Sequence, residues 1–434
     1  MGDFFDDFNA VDQKAWISQI ETDLKGKSIT DTLHYSDDIE GINYKAHYHK
    51  DEVESKDEDP GQLPYTRGAN FKSNDWTLMH IQEEGTPKDM NKAILHALMN
   101  GATGLELNLF HFDKKACEII LKDIAFEYIT TSITYNTEDQ KHFLDHLIKS
   151  NEGFNGSIIG ASEVFNTKSP KIRTHIVDGT QVQRAGGNNV QEVSFLLHNG
   201  HAVFYKLIES GLSPDDAATQ IKFKIGIGSN YFLEIAKIRA FRRLWSEIVN
   251  AYSPAHSCSC VAYVQAVTGS LNKSLKDPYT NLLRQTTEAM SAVVAGVDEL
   301  LILPYNWRAE NPDLKRPQRL GKNIGLILKE ESYLDKVIDP SGGSYSLESI
   351  TEEVIDKSWS LFQNLEKESI SYLFPLVADT KQKRIDAIES KESTLIGVNK
   401  YLNEDETNEQ WQDPVKLTVG AELILERECQ TIKA

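Results

Sequence analysis

Cysteine is scarce. Cys117, Cys258, Cys260 and Cys429 are the only four in 434 residues, too few for a disulfide framework in a chain of this length. A reducing compartment is the simplest reading, so a cytoplasmic protein is expected. No apolar run approaches the ~18 residues that suggest a membrane span. The opening Met1-Gly-Asp-Phe-Phe-Asp-Asp7 is acidic and lacks the basic, apolar and small-residue order of a signal peptide. Positive charge is also in deficit: 46 Lys and Arg stand against 65 Asp and Glu, for a net charge of −19. Nucleic acid and anionic membranes need basic surfaces, so neither is an expected partner. There is no P-loop, no H-E-x-x-H and no G-x-S-x-G elbow. His256-Ser-Cys258-Ser-Cys260 has no second ligand pair at zinc spacing, and no metal site is expected.

What is present is organised. Residues 1–60 read as an N-terminal extension, with helical apolar spacing from Ala15 to Leu24 and an acidic linker from Asp51 to Pro60. From about residue 76, short β-rich runs alternate with helical patterns. The expected strands are Thr77–Gln82, Leu105–Phe110, Tyr128–Tyr135, Ser157–Ile159, Thr174–Val177, Lys222–Ile227, Val261–Val267 and Leu300–Leu303. Expected helices include Lys88–Met99, Glu138–Lys149, Asn189–Glu209, Tyr231–Val249, Asn281–Val294 and Pro317–Glu330. Eight strands with helical crossovers make a parallel α/β sheet, and eight is the number that closes a barrel. A doubly wound open sheet produces the same rhythm, and pattern alone does not separate the two.

Several local features invite a functional reading, each beside a plainer one. A strand runs into Gly226-Ile-Gly228, and a helix starts near Asn230. Backbone N–H groups there could approach a phosphate. Position 231 is Tyr rather than the third glycine of G-x-G-x-x-G, so a tight strand–helix turn is the preferred reading. Asp277 and Pro278 set a helix start. Asp339-Pro-Ser-Gly-Gly-Ser-Tyr345 is a turn-rich loop that more often connects than binds. His175 and Asp178 point to opposite faces if their strand is continuous. Glu83 and Glu84 follow the first strand, where barrel active sites lie, but exposed loop acids are far commoner than catalytic ones.

Longer runs carry a resemblance. They are Pro64-Tyr-Thr-Arg-Gly68, Gly226 through Ala240 with Leu244-Trp245, Asp277-Pro-Tyr-Thr-Asn281 with Thr286-Thr-Glu-Ala-Met290, Val337-Ile-Asp-Pro-Ser-Gly-Gly-Ser-Tyr345 and Ile396-Gly-Val-Asn-Lys-Tyr401. In order and spacing they resemble the acyl-CoA barrel of methylmalonyl-CoA mutase and its relatives, from about Trp16 to Tyr401. The resemblance implies a (β/α)8 TIM-type barrel over 61–400, preceded by the extension 1–60. A C-terminal helical extension and a helical tail over 401–434 complete the expected architecture.

The family uses adenosylcobalamin to rearrange an acyl-CoA carbon skeleton, with the cobalt-ligating histidine in an Asp-x-His-x-x-Gly motif. None of the twelve histidines here has an aspartate two residues before it. The barrel positions depart as well. Trp76-Thr-Leu-Met-His-Ile81 has Met79 and Ile81 where the family has arginine and tyrosine. Gly179-Thr-Gln-Val-Gln-Arg-Ala-Gly186 has Thr180 and Gln181 for a tyrosine and the histidine that hydrogen-bonds the thioester. Tyr263-Val-Gln-Ala-Val-Thr-Gly-Ser270 has Tyr263, Gln265 and Val267 for arginine, histidine and glutamine. Leu300-Leu-Ile-Leu303 replaces Leu-His-Thr-Asn. Isoleucine and methionine cannot replace a hydroxyl or a cation.

Together the changes strip the preorganised polar groups that a transition state needs. The resemblance therefore implies a non-catalytic small subunit that binds no cofactor itself. It would form a heterodimer with a catalytic large subunit carrying adenosylcobalamin, and residues 1–60 are the candidate subunit-wrapping arm. Two other readings stay open: a catalytic barrel of a split mutase that borrows cobalamin from a separate chain, and a non-enzymatic CoA-binding regulator.

Overall fold

The computed structural model describes residues 12–53, 58–83, 85–161, 165, 167, 169–307, 309 and 314–402, with the backbone of Val415–Val419 and Ala421–Leu425. Nine strand segments form one all-parallel sheet. In chain order they are β1 Thr77–Gln82, β2 Gly104–Asn108, β3 Thr130–Tyr135, β4 Asn155–Gly160, β5 in two pieces (Ile172–Arg173 and His175–Asp178), β6 Ile221–Ile227, β7 Val264–Thr268 and β8 Glu299–Leu301. The first piece of β5 pairs with β4 and the second with β6. Thr174 lies between the pieces, so the two ends of the sheet are halves of one strand and the sheet closes as an eight-stranded barrel. The open-sheet alternative is thereby excluded.

Alternation explains both walls of the barrel. Leu78, Phe223, Ile225, Ala266 and Leu300 face the surrounding helices in one large core. Met79, Val267 and Leu301, each one residue on from one of these, form with Ile81 a separate cluster on the axis. Strands buried on both faces read as near-continuous apolar runs, as in parallel sheets generally. The outer core is anchored where Phe223 meets Phe241 and Trp245, at ring-centroid distances of 4.9 and 4.7 Å. Such pairs add ~0.5–1.5 kcal/mol beyond their burial.

The helices begin where local chemistry says they should. Pro87–Met99 is capped by Thr86, Glu138–Lys149 carries a capping box from Thr137 and Gln140, and Tyr231–Asn250 is capped by Asn230. Asp277 does not cap directly. The helix runs Thr280–Val294, and Asp277 instead accepts a 2.5 Å bond from the Thr280 hydroxyl. Lys114–Ile120 forms a helix where none was expected. After β8 the chain adds Lys315–Leu326, Tyr345–Glu368 and Leu373–Glu389, the C-terminal helical extension. No helix among the described residues is long and apolar enough to cross a membrane.

Two boundaries differ from expectation. Part of the N-terminal extension is fastened to the chain's own barrel. The hairpin Tyr35–Asp37/Ile42–Tyr44 buries Ile42, the Asn230 amide donates to the Tyr44 hydroxyl at 2.8 Å, and Arg384 pairs with Glu40 at 2.5 Å. The preceding helix Gln13–Asp23 buries no residue. Within 401–434, where a helical tail was expected, Val415–Val419 and Ala421–Leu425 pair as antiparallel strands. Val-Lys-Leu-Thr-Val has a period of two, which favours a strand over a helix.

Candidate functional site

The functional site of a TIM-type barrel is built at the C-terminal ends of its strands, above a packed axis. Here the axis is filled in layers. At the lower end the Arg173 guanidinium lies 3.4 Å from the centroid of the Tyr263 ring. The Tyr263 hydroxyl donates to Glu299 at 2.9 Å, and Lys222 pairs with the other oxygen of Glu299 at 2.5 Å. Both charged side chains of that pair are shut from water, at 1% and 0% exposure. Burial, which Glu299 and Glu106 do not offset, pushes the Lys222 ammonium below its ordinary pKa.

One layer up, Lys224 pairs with Glu106 at 2.5 Å, and the Gln265 amide donates to the second Glu106 oxygen at 2.7 Å. Burial works against charge at both groups. Lys224 and Lys222 outweigh it for Glu106, whose pKa is lowered. Glu106 and Asp178 outweigh it for Lys224, whose pKa is raised. The pair therefore stays ionised. On the opposite wall, the Ser132 and Ser157 hydroxyls hydrogen-bond at 2.6 Å. Above these layers Met79, Ile81, Val267, Leu301 and Leu303 pack together with Trp307.

The mouth holds a cavity of about 170 Å³. Its apolar wall includes Ile81, Val267 and Leu301, and its polar wall includes Asp178, Gln183, Lys224 and Ser270. Ligand pockets typically span ~300–1,000 Å³, so this cavity suits only a small molecule.

The residues singled out in the sequence fall in three places. Met79, Ile81 and Val267 converge in the apolar layer, and Gln265 and Tyr263 lie in the ionic layers beneath. Thr180 stands at the mouth, its hydroxyl donating to Asp178 at 2.5 Å. Gln181 is not among the residues lining the cavity, and its Oε1 is buried without a partner among the described residues. Glu83 lines the mouth, and Glu84 lies outside the described residues. His175 bonds Thr174 at 2.9 Å and lines a different cavity, so it and Asp178 do not form a pair.

The other readings resolve into structure. The Gly226 N–H donates to the Glu192 carboxylate at 2.6 Å, and the Gly226 carbonyl accepts from Lys237 at 2.5 Å. No phosphate-binding amide is left at that residue. Lys237 also meets Glu192 at 2.8 Å and Glu234 at 2.6 Å, all three buried. Burial, against the pull of Lys237, pushes Glu192 up to about 7. The Asp339 loop is a clasp. Asp339 takes Arg239 at 2.5 Å and Arg67 at 2.7 Å, while Arg239 holds both oxygens of Glu348 at 2.7 Å. Residue 67 and the loop at 339 are thus tied to helices Tyr231–Asn250 and Tyr345–Glu368. His256 faces Asp215 at 3.1 Å on the surface, Cys258 is exposed and Cys260 buried. No cluster of metal-ligating side chains occurs among the described residues.

Sequence reading missed the axial lysines, although a signal was present. Lys222-Phe-Lys224-Ile225 alternates cation and apolar residue, which puts two lysines on one face of a strand buried on both.

The family model described as methylmalonyl-CoA mutase matches residues 37–117 and 145–426. The methylmalonyl-CoA mutase small subunit of Porphyromonas gingivalis is 29% identical over 472 residues, covering 99% of this chain and 75% of that protein. The methylmalonyl-CoA mutase small subunit of Propionibacterium freudenreichii subsp. shermanii is 26% identical over 407 residues, covering 83% of this chain and 63% of that one. The mitochondrial methylmalonyl-CoA mutase of Homo sapiens is 26% identical over 458 residues, with 90% of this chain and 61% of that protein aligned. The chain therefore spans less than two thirds of the latter two relatives. With most of its length matched by the family model, the chain belongs to the methylmalonyl-CoA mutase family.

Proposed function

We propose that this chain is the non-catalytic small subunit of an adenosylcobalamin-dependent methylmalonyl-CoA mutase, paired with a catalytic large subunit. The observation that carries the reading is the filled axis. In the family the acyl-CoA lies along the barrel axis. Here Arg173, Tyr263, Lys222, Glu299, Lys224 and Glu106 bond to one another along that line. Opening it would strand buried charges, at ~3–5 kcal/mol for each pair broken.

The side chains at the family's reacting positions support the same reading. Met79 and Ile81 offer neither a cation nor a hydroxyl. Gln265 is committed to Glu106, and Tyr263 to Glu299. With no Asp-x-His-x-x-Gly in these 434 residues, the lower cobalt ligand would come from the partner, and adenosylcobalamin would supply its radical chemistry there. This chain's contribution is architectural: a closed barrel of the same fold as its partner, suited to pseudo-symmetric association. The small-subunit names of two relatives favour a partner of that kind. Helix Gln13–Asp23, in which no residue is fully buried, is the segment best placed to reach it.

The test is reconstitution. Co-expressed with a mutase large subunit, the chain is expected to co-purify at equal stoichiometry and to raise the partner's stability, with no turnover when assayed alone. A large subunit that is fully stable and active alone and shows no affinity for this chain ends the proposal. So does turnover by this chain mixed only with a cobalamin-domain protein.

A further inference from the structure

The mouth cavity carries more than an empty remnant would. Gln183 and Ser270 line it, and both are more than nine-tenths buried, at 6% and 7% exposure. Neither side chain has a hydrogen-bond partner among the described residues. Both residues line the cavity, where an amide and a hydroxyl can each bond a ligand. The Gln183 amide is seated by design of the backbone. A Cβ on Gly226 would stand 2.5 Å from its Oε1, and one on Gly269 3.3 Å. Two strand ends thus give up side chains to make room for that carboxamide.

The surrounding charges select the ligand. Asp178 spends Oδ1 on the Thr180 N–H and hydroxyl, and its Oδ2 takes no bond among the described residues. Lys224 gives one bond to Glu106, and an ammonium has three N–H groups. Carboxylates of Glu83, Glu106 and Asp178 outnumber the cations Arg184 and Lys224 on the wall, which disfavours a dianion. The facing wall of Ile81, Val267 and Leu301 is aliphatic.

We infer that the mouth cavity binds a small zwitterion of the α-amino-acid class with a short aliphatic side chain. Its ammonium meets Asp178, its carboxylate meets Lys224, Gln183 and Ser270, and its side chain packs on Ile81, Val267 and Leu301. This rests on the cavity alone and stands or falls separately from the subunit reading.

L-valine is the probe, titrated into the full chain by calorimetry and by thermal shift. Isovalerate, isobutylamine and methylmalonate serve as comparisons. The expected result is saturable one-to-one binding of L-valine in the millimolar range, at least about tenfold weaker for isovalerate and isobutylamine, and none for methylmalonate. Gln183→Ala and Ser270→Ala, which break no hydrogen bond within the protein, are expected to weaken L-valine binding at least about tenfold in chains that still unfold cooperatively. Absence of saturable L-valine binding overturns the inference. Equal binding of isovalerate or isobutylamine does so too, as does L-valine binding indifferent to both substitutions.

Discussion

The axis of the barrel and the clasp on its flank are both made of buried charge, yet they hold different things. In the clasp, Arg67, Arg239 and Asp339 come from the runs that resemble the family and Glu348 follows the Asp339 run, so the clasp ties together parts of the chain as distant as residues 67 and 348. The axis includes two of the positions that depart from the family, Tyr263 and Gln265, and it ties the barrel to itself. On the proposed reading, Lys222, Lys224, Glu106 and Glu299 occupy the space that a substrate channel would need. If the proposal holds, a fold can keep its outer scaffold while the line of its chemistry becomes solid protein. Buried ion pairs are weak evidence of stability but strong evidence of commitment, because breaking one leaves a charge without water.

The comparison can be strained at graded cost. Arg239→Ala leaves Asp339 and Glu348 without their shared cation and is expected to lose ~3–5 kcal/mol in urea unfolding. A second substitution at Asp339 should not restore that loss, because Glu348 remains unpaired and the loop loses its link to Arg67. The axis should behave differently. Lys222→Met alone leaves Glu299 without its cation, held only by the Tyr263 hydroxyl, and is expected to cost ~3–5 kcal/mol, while Lys222→Met with Glu299→Leu recovers most of it. Failure of that rescue would make the axis as irreplaceable as the clasp.

A smaller effect is set by pH. Glu192 is raised in the folded state to about 7 by burial, so the native protein holds its proton where the unfolded chain does not. Its contribution to stability is complete below the ordinary glutamate pKa, ~4.3, and is lost as pH rises through about 7. Unfolding free energies measured across that window should fall with pH, and Glu192→Gln should flatten the slope. Restoring family side chains is expected to do less still. Met79→Arg with Ile81→Tyr should give no turnover with methylmalonyl-CoA and adenosylcobalamin, because the ionic layers below remain closed. The smallest effect is on the surface: His256→Ala should change stability by no more than ~0.5 kcal/mol, with no zinc bound by metal analysis before or after.

Much of this was legible in the residues. Strand and helix rhythm located all eight strands because each is a short run that a turn or cap interrupts, and Asn230 marked its helix start as its chemistry requires. Barrel closure was not legible from rhythm, since it depends on β5 being split at Thr174 between two neighbours. The resemblance supplied it. The axial pairs were out of reach for a related reason. Glu106 and Lys224 are 118 residues apart, and only the sheet register brings them together. At Gly226 the preferred reading, a tight strand–helix turn, fits the structure, where its N–H and carbonyl are taken by Glu192 and Lys237. Local pattern misled at Asp339, where a loop that reads as a connector holds two arginines.

The central claim is that the barrel axis is closed to acyl-CoA. Calorimetric titration of methylmalonyl-CoA into the purified chain tests it most directly. The account predicts no saturable heat at micromolar ligand; stoichiometric micromolar binding would contradict it.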